Sequence, residues 1–228
     1  MTNNSKAWDQ TNVVNFFNNH RVSVNDVYKS ELFFLSNNLQ ENMSVLDIGC
    51  AQGGFSGIIG EKLNNFSYTG LDISKEMILQ AKLKHPNHNF YHIEEDDYSI
   101  LEEINGGNAF DLTLALGILH LHETWRNTIK AAWKYTSSTL ILDLRETYEE
   151  TIEDKKVSYF NMNFNGSNDG FTEVLPYNVI NTSDALDLIV SICSGATKIS
   201  RFGYSQKPSE SAVCPIDNIF ANVYCIEK

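Results

Sequence analysis

Basic residues are scarce in this chain: 17 Lys and Arg stand against 29 Asp and Glu, for a net charge of −12 over 228 residues. Such a surface repels nucleic-acid phosphate and anionic lipid, so neither nucleic acid nor a membrane is expected as a partner. Cysteine is also sparse, at Cys50, Cys193, Cys214 and Cys225. No two have CxxC spacing, so neither a redox pair nor a metal site is expected. No apolar run reaches membrane length, and no signal-peptide or lipidation pattern is present, which makes the cytoplasm the expected location. Internal repeats are absent too. The nearest approach to low complexity is the Asn-rich stretch at the start. The length suits one domain with a sizeable core and room for an elaboration.

What the chain does contain is concentrated in Val45-Leu46-Asp47-Ile48-Gly49-Cys50-Ala51-Gln52-Gly53-Gly54-Phe55-Ser56. An apolar run ends in an acid, opens into a turn of small residues and continues into an amphipathic helix. A strand, tight loop and helix N-terminus in this order form the nucleotide-cofactor cradle of open parallel sheets. A second apolar strand ends in Leu71-Asp72-Ile73-Ser74. Its acid falls about 20 residues beyond the turn, the distance to a ribose-binding carboxylate. Asp47 at the mouth of the loop disfavours a pyrophosphate and favours a ligand carrying an ammonium group. S-adenosylmethionine has an amine, a sulfonium, a ribose and an adenine, and no phosphate. Gly49, Ala51 and Gly54 also fit a loose dinucleotide pattern, which keeps an NAD-dependent oxidoreductase as a second reading.

With these residues in view, the chain resembles the class I S-adenosylmethionine-dependent methyltransferases, clearly over about residues 40–145 and in outline elsewhere. Val45 to Gly53 resembles the family's first motif, with Ala51 in place of the usual middle glycine. Asp72 resembles the acid of the second motif, which holds both ribose hydroxyls. Phe90 to Asp97 resembles the third strand and the acid that meets the adenine amino group; Asp96 aligns better than Asp97. Phe110 to His120 resembles the fourth strand, whose end lies under the methionine moiety and beside the acceptor. The resemblance implies S-adenosylmethionine as cofactor, with Asp47, Gly49, Cys50, Ala51, Gly53, Asp72, Ile73, Asp96, Asp97 and Leu116 around it.

Periodicity predicts strands at 44–48, 66–72, 89–94, 110–116 and 139–145, and helices near 55–63, 75–85 and 124–135. Such β-α alternation means a parallel sheet with helices on both faces. Residues 1–43 read as a helical cap and 44–145 as the cofactor-binding core. In 146–181, Phe160, Met162 and Phe164 alternate, a Gly- and Asn-rich turn follows, and Phe171, Glu173, Leu175, Tyr177 and Val179 alternate beyond it. That pattern predicts a β-hairpin insertion on the acceptor side. Residues 182–228 read as a helix near 183–193 and two closing strands, 197–204 and 219–227. The expected fold is thus α/β and Rossmann-like. Its mostly parallel seven-stranded sheet has an antiparallel last strand and a hairpin after strand five.

Methyl transfer from a sulfonium is an in-line displacement, in which alignment and exclusion of water carry most of the catalysis. A base is required only when the acceptor must lose a proton. His120 is the candidate base, since its ordinary pKa suits proton removal near neutrality. His122 is a weaker candidate. Asp143, Arg145 and Glu146, at the end of strand five, could hold a polar acceptor or form a sheet-end salt bridge. Tyr159, Phe160, Phe164, Phe171 and Tyr177 could line its pocket or pack the hairpin. Lys82, Lys84 and His85 read as a solvated helix face. The expected activity is methylation of a small-molecule acceptor, with a hydroxyl of a sugar or other biosynthetic intermediate as the leading reading. A non-catalytic protein that binds S-adenosylmethionine is a third alternative.

Overall fold

The computed structural model describes residues 3–162 and 174–228. Phe164, Phe171, Glu173 and the expected hairpin turn lie outside these residues. Three short helices lead: α1 (Asn3–Trp8), α2 (Thr11–Phe17) and α3 (Lys29–Asn38). Then strands and helices alternate as β1 (Ser44–Ile48), α4 (Gly54–Gly60), β2 (Ser67–Asp72), α5 (Lys75–Lys84), β3 (Asn89–His92), β4 (Phe110–Ala115), α6 (Trp125–Lys134) and β5 (Thr136–Thr147). The Ser74 hydroxyl accepts the Met77 N–H at 3.1 Å and so caps α5. Short strands β6 (Tyr159–Asn161), β7 (Val174–Pro176) and β8 (Ile180–Asn181) follow, then α7 (Thr182–Ile192). The chain closes with β9 (Lys198–Gln206), β10 (Ala212–Val213) and β11 (Ile219–Glu227).

The main sheet runs β3-β2-β1-β4-β5-β11-β9, and β8 adds a short parallel pairing to the end of β5. Strands β1 to β5 are mutually parallel. The last strand, β11, lies antiparallel between β5 and β9. These features match the expected α/β sheet, with β8 as an addition. A separate antiparallel sheet, β10-β6-β7, stands beside it.

Strand alternation sends side chains to two cores. Leu46, Leu71, Leu140, Leu142 and Leu144 pack with Ile129, Ala132 and Trp133 of α6 and with Ala185 and Ile189 of α7. Val45, Leu112, Leu114 and Ile141 pack on the opposite face with α3, α4 and α5. A third cluster joins Ala7 of α1 and Val13 of α2 to Phe160 and Leu175 of the small sheet and to Tyr177 just after it. The leading helices and the small sheet therefore meet over the C-terminal ends of the parallel strands, where open α/β sheets bind ligands.

Strand β5 is longer than expected and continues to Thr147, and this splits a cluster that looks unified in sequence. Period-two alternation puts Asp143 and Arg145 on one face and Glu146 on the other. Glu146 is fully buried and accepts from the Tyr224 hydroxyl at 2.6 Å, from the Thr182 hydroxyl at 2.7 Å and from Arg201 at 3.1 Å. It fastens β5 to α7, β9 and β11 and does not line the cavity.

Among the described residues no helix is long and apolar enough to cross a membrane. Leu114, fully buried at the centre of the sheet, tests the packing account. Leu114→Ala should destabilise the fold by about 2–5 kcal/mol, read as a lower urea midpoint at unchanged slope.

Candidate functional site

One cavity of about 500 Å³ opens at the C-terminal ends of β1, β2 and β4, roofed by the leading helices and the small sheet. The loop after β1 forms its floor. The Gly49 and Cys50 N–H groups donate to the Leu71 carbonyl at 2.8 and 3.0 Å, which ties that loop to β2. Gly49 has φ +79°, and a Cβ there would come within 2.5 Å of Ile118 Cγ2. Ala51 takes a left-handed φ of 47°, so alanine at the usual glycine position strains the backbone as well as narrowing the turn.

Asp72 joins the two loops. Its Oδ2 accepts the Ala51 N–H and its Oδ1 accepts the Ser74 N–H, both at 2.8 Å. Each oxygen retains a lone pair for a further donor. Burial pushes its pKa up to about 6, against the lowering effect of the two N–H groups.

Gly49, Cys50, Ala51, Asp72, Ile73, Asp96, Leu116 and His120 all line the cavity. Three other expected residues do not. Asp47 shares the face of β1 with Val45, and alternation turns it under the loop. There it accepts the Tyr68 hydroxyl, and burial pushes its pKa up to about 7. Gly53 packs below the floor, where a Cβ would meet the Phe90 ring at 2.8 Å. Asp97 is exposed, and its Oδ1 accepts the Ser99 N–H at 3.1 Å. The neighbouring Asp96 adopts φ 62°, lines the cavity and keeps Oδ1 buried with no partner among the described residues.

At the other end of the cavity, the His120 loop is held by the segment after β7. Asn178 donates its N–H to the His120 carbonyl at 2.8 Å and its amide to the His122 carbonyl at 2.9 Å. The His120 ring meets Tyr177 edge-on at 5.4 Å, and its Nδ1 is buried without a partner. Burial first, then the charges of Arg145, Arg21 and His122, hold its pKa well below the ordinary value. Phe160 and Tyr177 line the cavity and also pack the small sheet, whereas Tyr159 does not reach it.

Several site residues carry no signal in sequence. Arg21 comes from an irregular segment and donates to Glu31 at 2.9 Å and to the Leu116 carbonyl at 3.2 Å. Gln52 donates to the Val14 carbonyl at 2.7 Å, and Lys84 donates to Gln52 and to Asn18. Lys84 therefore lines the cavity and latches α2, and His85 packs near Gly53; only Lys82 fits the solvated reading. Asn4 reaches Glu95 at 2.9 Å, and the Ser74 hydroxyl reaches Asp9 at 2.6 Å. The leading helices are thus bonded to all three loops after β1, β2 and β3.

The two raised carboxyls make stability pH-dependent. An Asp in the unfolded chain titrates near 3.9, so the folded protein binds extra protons between about pH 4 and 7. The stability these groups contribute is full below about pH 4 and is lost as pH rises through 6 and 7. Asp47→Asn should flatten that decline by an amount on the order of a few kcal/mol. Urea midpoints at several pH values check this; a constant offset between variant and wild type would contradict it.

Residues 46–138 match the family model for a methyltransferase domain. A malonyl-[acyl-carrier protein] O-methyltransferase from Priestia megaterium is 28% identical over 130 residues, which is 52% of this chain and 44% of that protein. The chain thus spans less than half the length of that relative. The structure is similar to magnesium protoporphyrin IX methyltransferase from Synechocystis PCC 6803 with bound S-adenosylmethionine. The TM-score is 0.60 at 11% identity, covering 100% of this chain and 98% of that one. It is also similar to phosphoethanolamine N-methyltransferase 2 of Haemonchus contortus, in complex with phosphomonomethylethanolamine and S-adenosylhomocysteine. There the TM-score is 0.66 at 13% identity, over 100% of this chain and 60% of that one. At such identities these structures speak for the fold. The match over residues 46–138 and the order of the sheet agree with the resemblance to the class I S-adenosylmethionine-dependent methyltransferases drawn from the sequence.

Proposed function

We propose that the protein transfers a methyl group from S-adenosylmethionine to a small-molecule acceptor. The observation that carries this reading is one cavity lined by two acids with unspent acceptor capacity, Asp72 and Asp96. Asp72 suits a pair of ribose hydroxyls, and Asp96 suits the adenine amino group. The floor loop fits the reading because the left-handed φ of Gly49 and the close approach of Ile118 require a glycine there, as the tight turn of such a loop does. Arg21 sits between that loop and the end of β4, and would receive the carboxylate of the cofactor's methionine moiety. S-adenosylmethionine, when bound, supplies the activated methyl group. The protein aligns the acceptor with it under the roof of α1, α2 and the small sheet, and excludes water.

His120 is the base in this reading if the acceptor is a hydroxyl. Its depressed pKa keeps the imidazole neutral at physiological pH, with Nδ1 ready to accept a proton. The hydroxyl of a sugar or another biosynthetic intermediate remains the leading acceptor. The separation of site residues between the parallel sheet and the small sheet supports a small molecule enclosed between them.

Two variants test the roles. Asp72→Ala should weaken S-adenosylmethionine binding by about 1–3 kcal/mol in calorimetric titration, and unchanged affinity in a folded variant would place the ribose acid elsewhere. His120→Ala should lower kcat roughly 10²-fold while sparing cofactor affinity. The acid limb of the wild-type rate profile should lie well below pH 6.5 and vanish in the variant. A variant with near-normal kcat would mean that alignment alone suffices. The direct assay is methyl-labelled S-adenosylmethionine with a broad acceptor panel; cofactor binding without turnover of any acceptor would favour the non-catalytic alternative.

A further inference from the structure

We infer that the acceptor carries a carboxylate and that Arg145 is the residue that binds it. This inference rests on the methyltransferase reading above. Arg145 lies on β5 beyond the floor loop, and its side chain is 7% exposed. Its Nη1 donates to Asp143 at 2.5 Å, and Asp143 in turn accepts the Gly117 N–H at 2.5 Å. The guanidinium is therefore held from behind by a carboxylate that is itself fixed to the backbone. A guanidinium has five N–H donors in a rigid fork, and Asp143 occupies only part of it. Arg145 lines the cavity together with Tyr177, Tyr28 and His120. The bond to Asp143 uses Nη1 and leaves further N–H donors of the fork on a residue that lines the cavity.

The two guanidinium groups near His120 are each ion-paired, Arg145 with Asp143 and Arg21 with Glu31. A largely buried, preoriented guanidinium fork is complementary to a planar carboxylate, which it can bind through two parallel N–H···O bonds. Arg145 already faces one carboxylate in Asp143, and a single further negative charge suits it better than a phosphate dianion. Arg21 lies on the cofactor side, against the floor loop and the Leu116 carbonyl, so it does not compete for this role. Arg145 would set specificity: it holds the acceptor's acid end and presents the other end to His120 and the methyl group.

The test uses the intact chain saturated with S-adenosylhomocysteine, which fills the cofactor side. Benzoate and benzamide, acetate and acetamide, and inorganic phosphate are then titrated by ligand-observed NMR. The wild type should bind each carboxylate at least about tenfold more tightly than its amide. Arg145→Gln should erase that preference and leave S-adenosylhomocysteine affinity within about twofold. The comparison of acid with amide needs only the wild type, so it stands even if the variant fails to fold. Equal binding of acid and amide, no carboxylate binding, tighter binding of phosphate than of either carboxylate, or a preference that survives Arg145→Gln would each overturn the proposal. Failure to bind S-adenosylhomocysteine would overturn the methyltransferase reading and this proposal with it; binding without a carboxylate preference overturns this proposal alone.

Discussion

A buried carboxylate is costly unless donors meet it, and Asp72 is met by two backbone N–H groups from two different loops. The Ala51 donor comes from the turn after β1 and the Ser74 donor from the turn after β2. With the Leu71 carbonyl accepting from Gly49 and Cys50, this acid fixes the separation and tilt of both turns. The floor of the cavity is the consequence. Ser74 then passes the restraint outward, because it caps α5 through Met77 and accepts no slack from α1, whose following residue Asp9 it also contacts. Rearranging the carboxylate would move both turns and loosen the roof above them.

The end of the cavity near His120 is built on a different rule. There the decisive property is the strict alternation of β5, which brings Arg145 to the cavity with Asp143 bonded to it and sends Glu146 into the contact with α7 and Tyr224. Three adjacent-looking polar residues thus do two jobs. The segment after β7 supplies Tyr177 and Asn178, which orient His120 from outside the parallel sheet. Site geometry at this end depends on the small sheet as much as on the large one.

The core of the fold was legible in sequence because it is local. A strand of alternating or continuous apolar residues that ends at an acid and a small-residue turn is specified within about a dozen neighbours, so β1, α4, β2 and α5 fall close to their expected bounds. The same pattern points to Asp72, Gly49, Cys50 and Ala51, which line the cavity. It does not reveal that Asp47 lies off the cavity lining, because an acid at a strand end looks ligand-facing until the alternation from Val45 is followed through and Tyr68 is seen beneath it. It grouped Asp143, Arg145 and Glu146 because the true end of β5 lies at Thr147. Arg21, Gln52 and Lys84 were illegible for another reason: they join the site through contacts between segments far apart in the chain, and no periodicity records such contacts.

The central claim is that this cavity is shaped for the adenosine and amino-acid ends of S-adenosylmethionine and not for a dinucleotide. The most direct test is a side-by-side calorimetric titration of the intact chain with S-adenosylhomocysteine and with NAD. The account predicts saturable, one-site binding of S-adenosylhomocysteine and no measurable heat with NAD. Tighter binding of NAD, or no binding of S-adenosylhomocysteine by the folded protein, would contradict it.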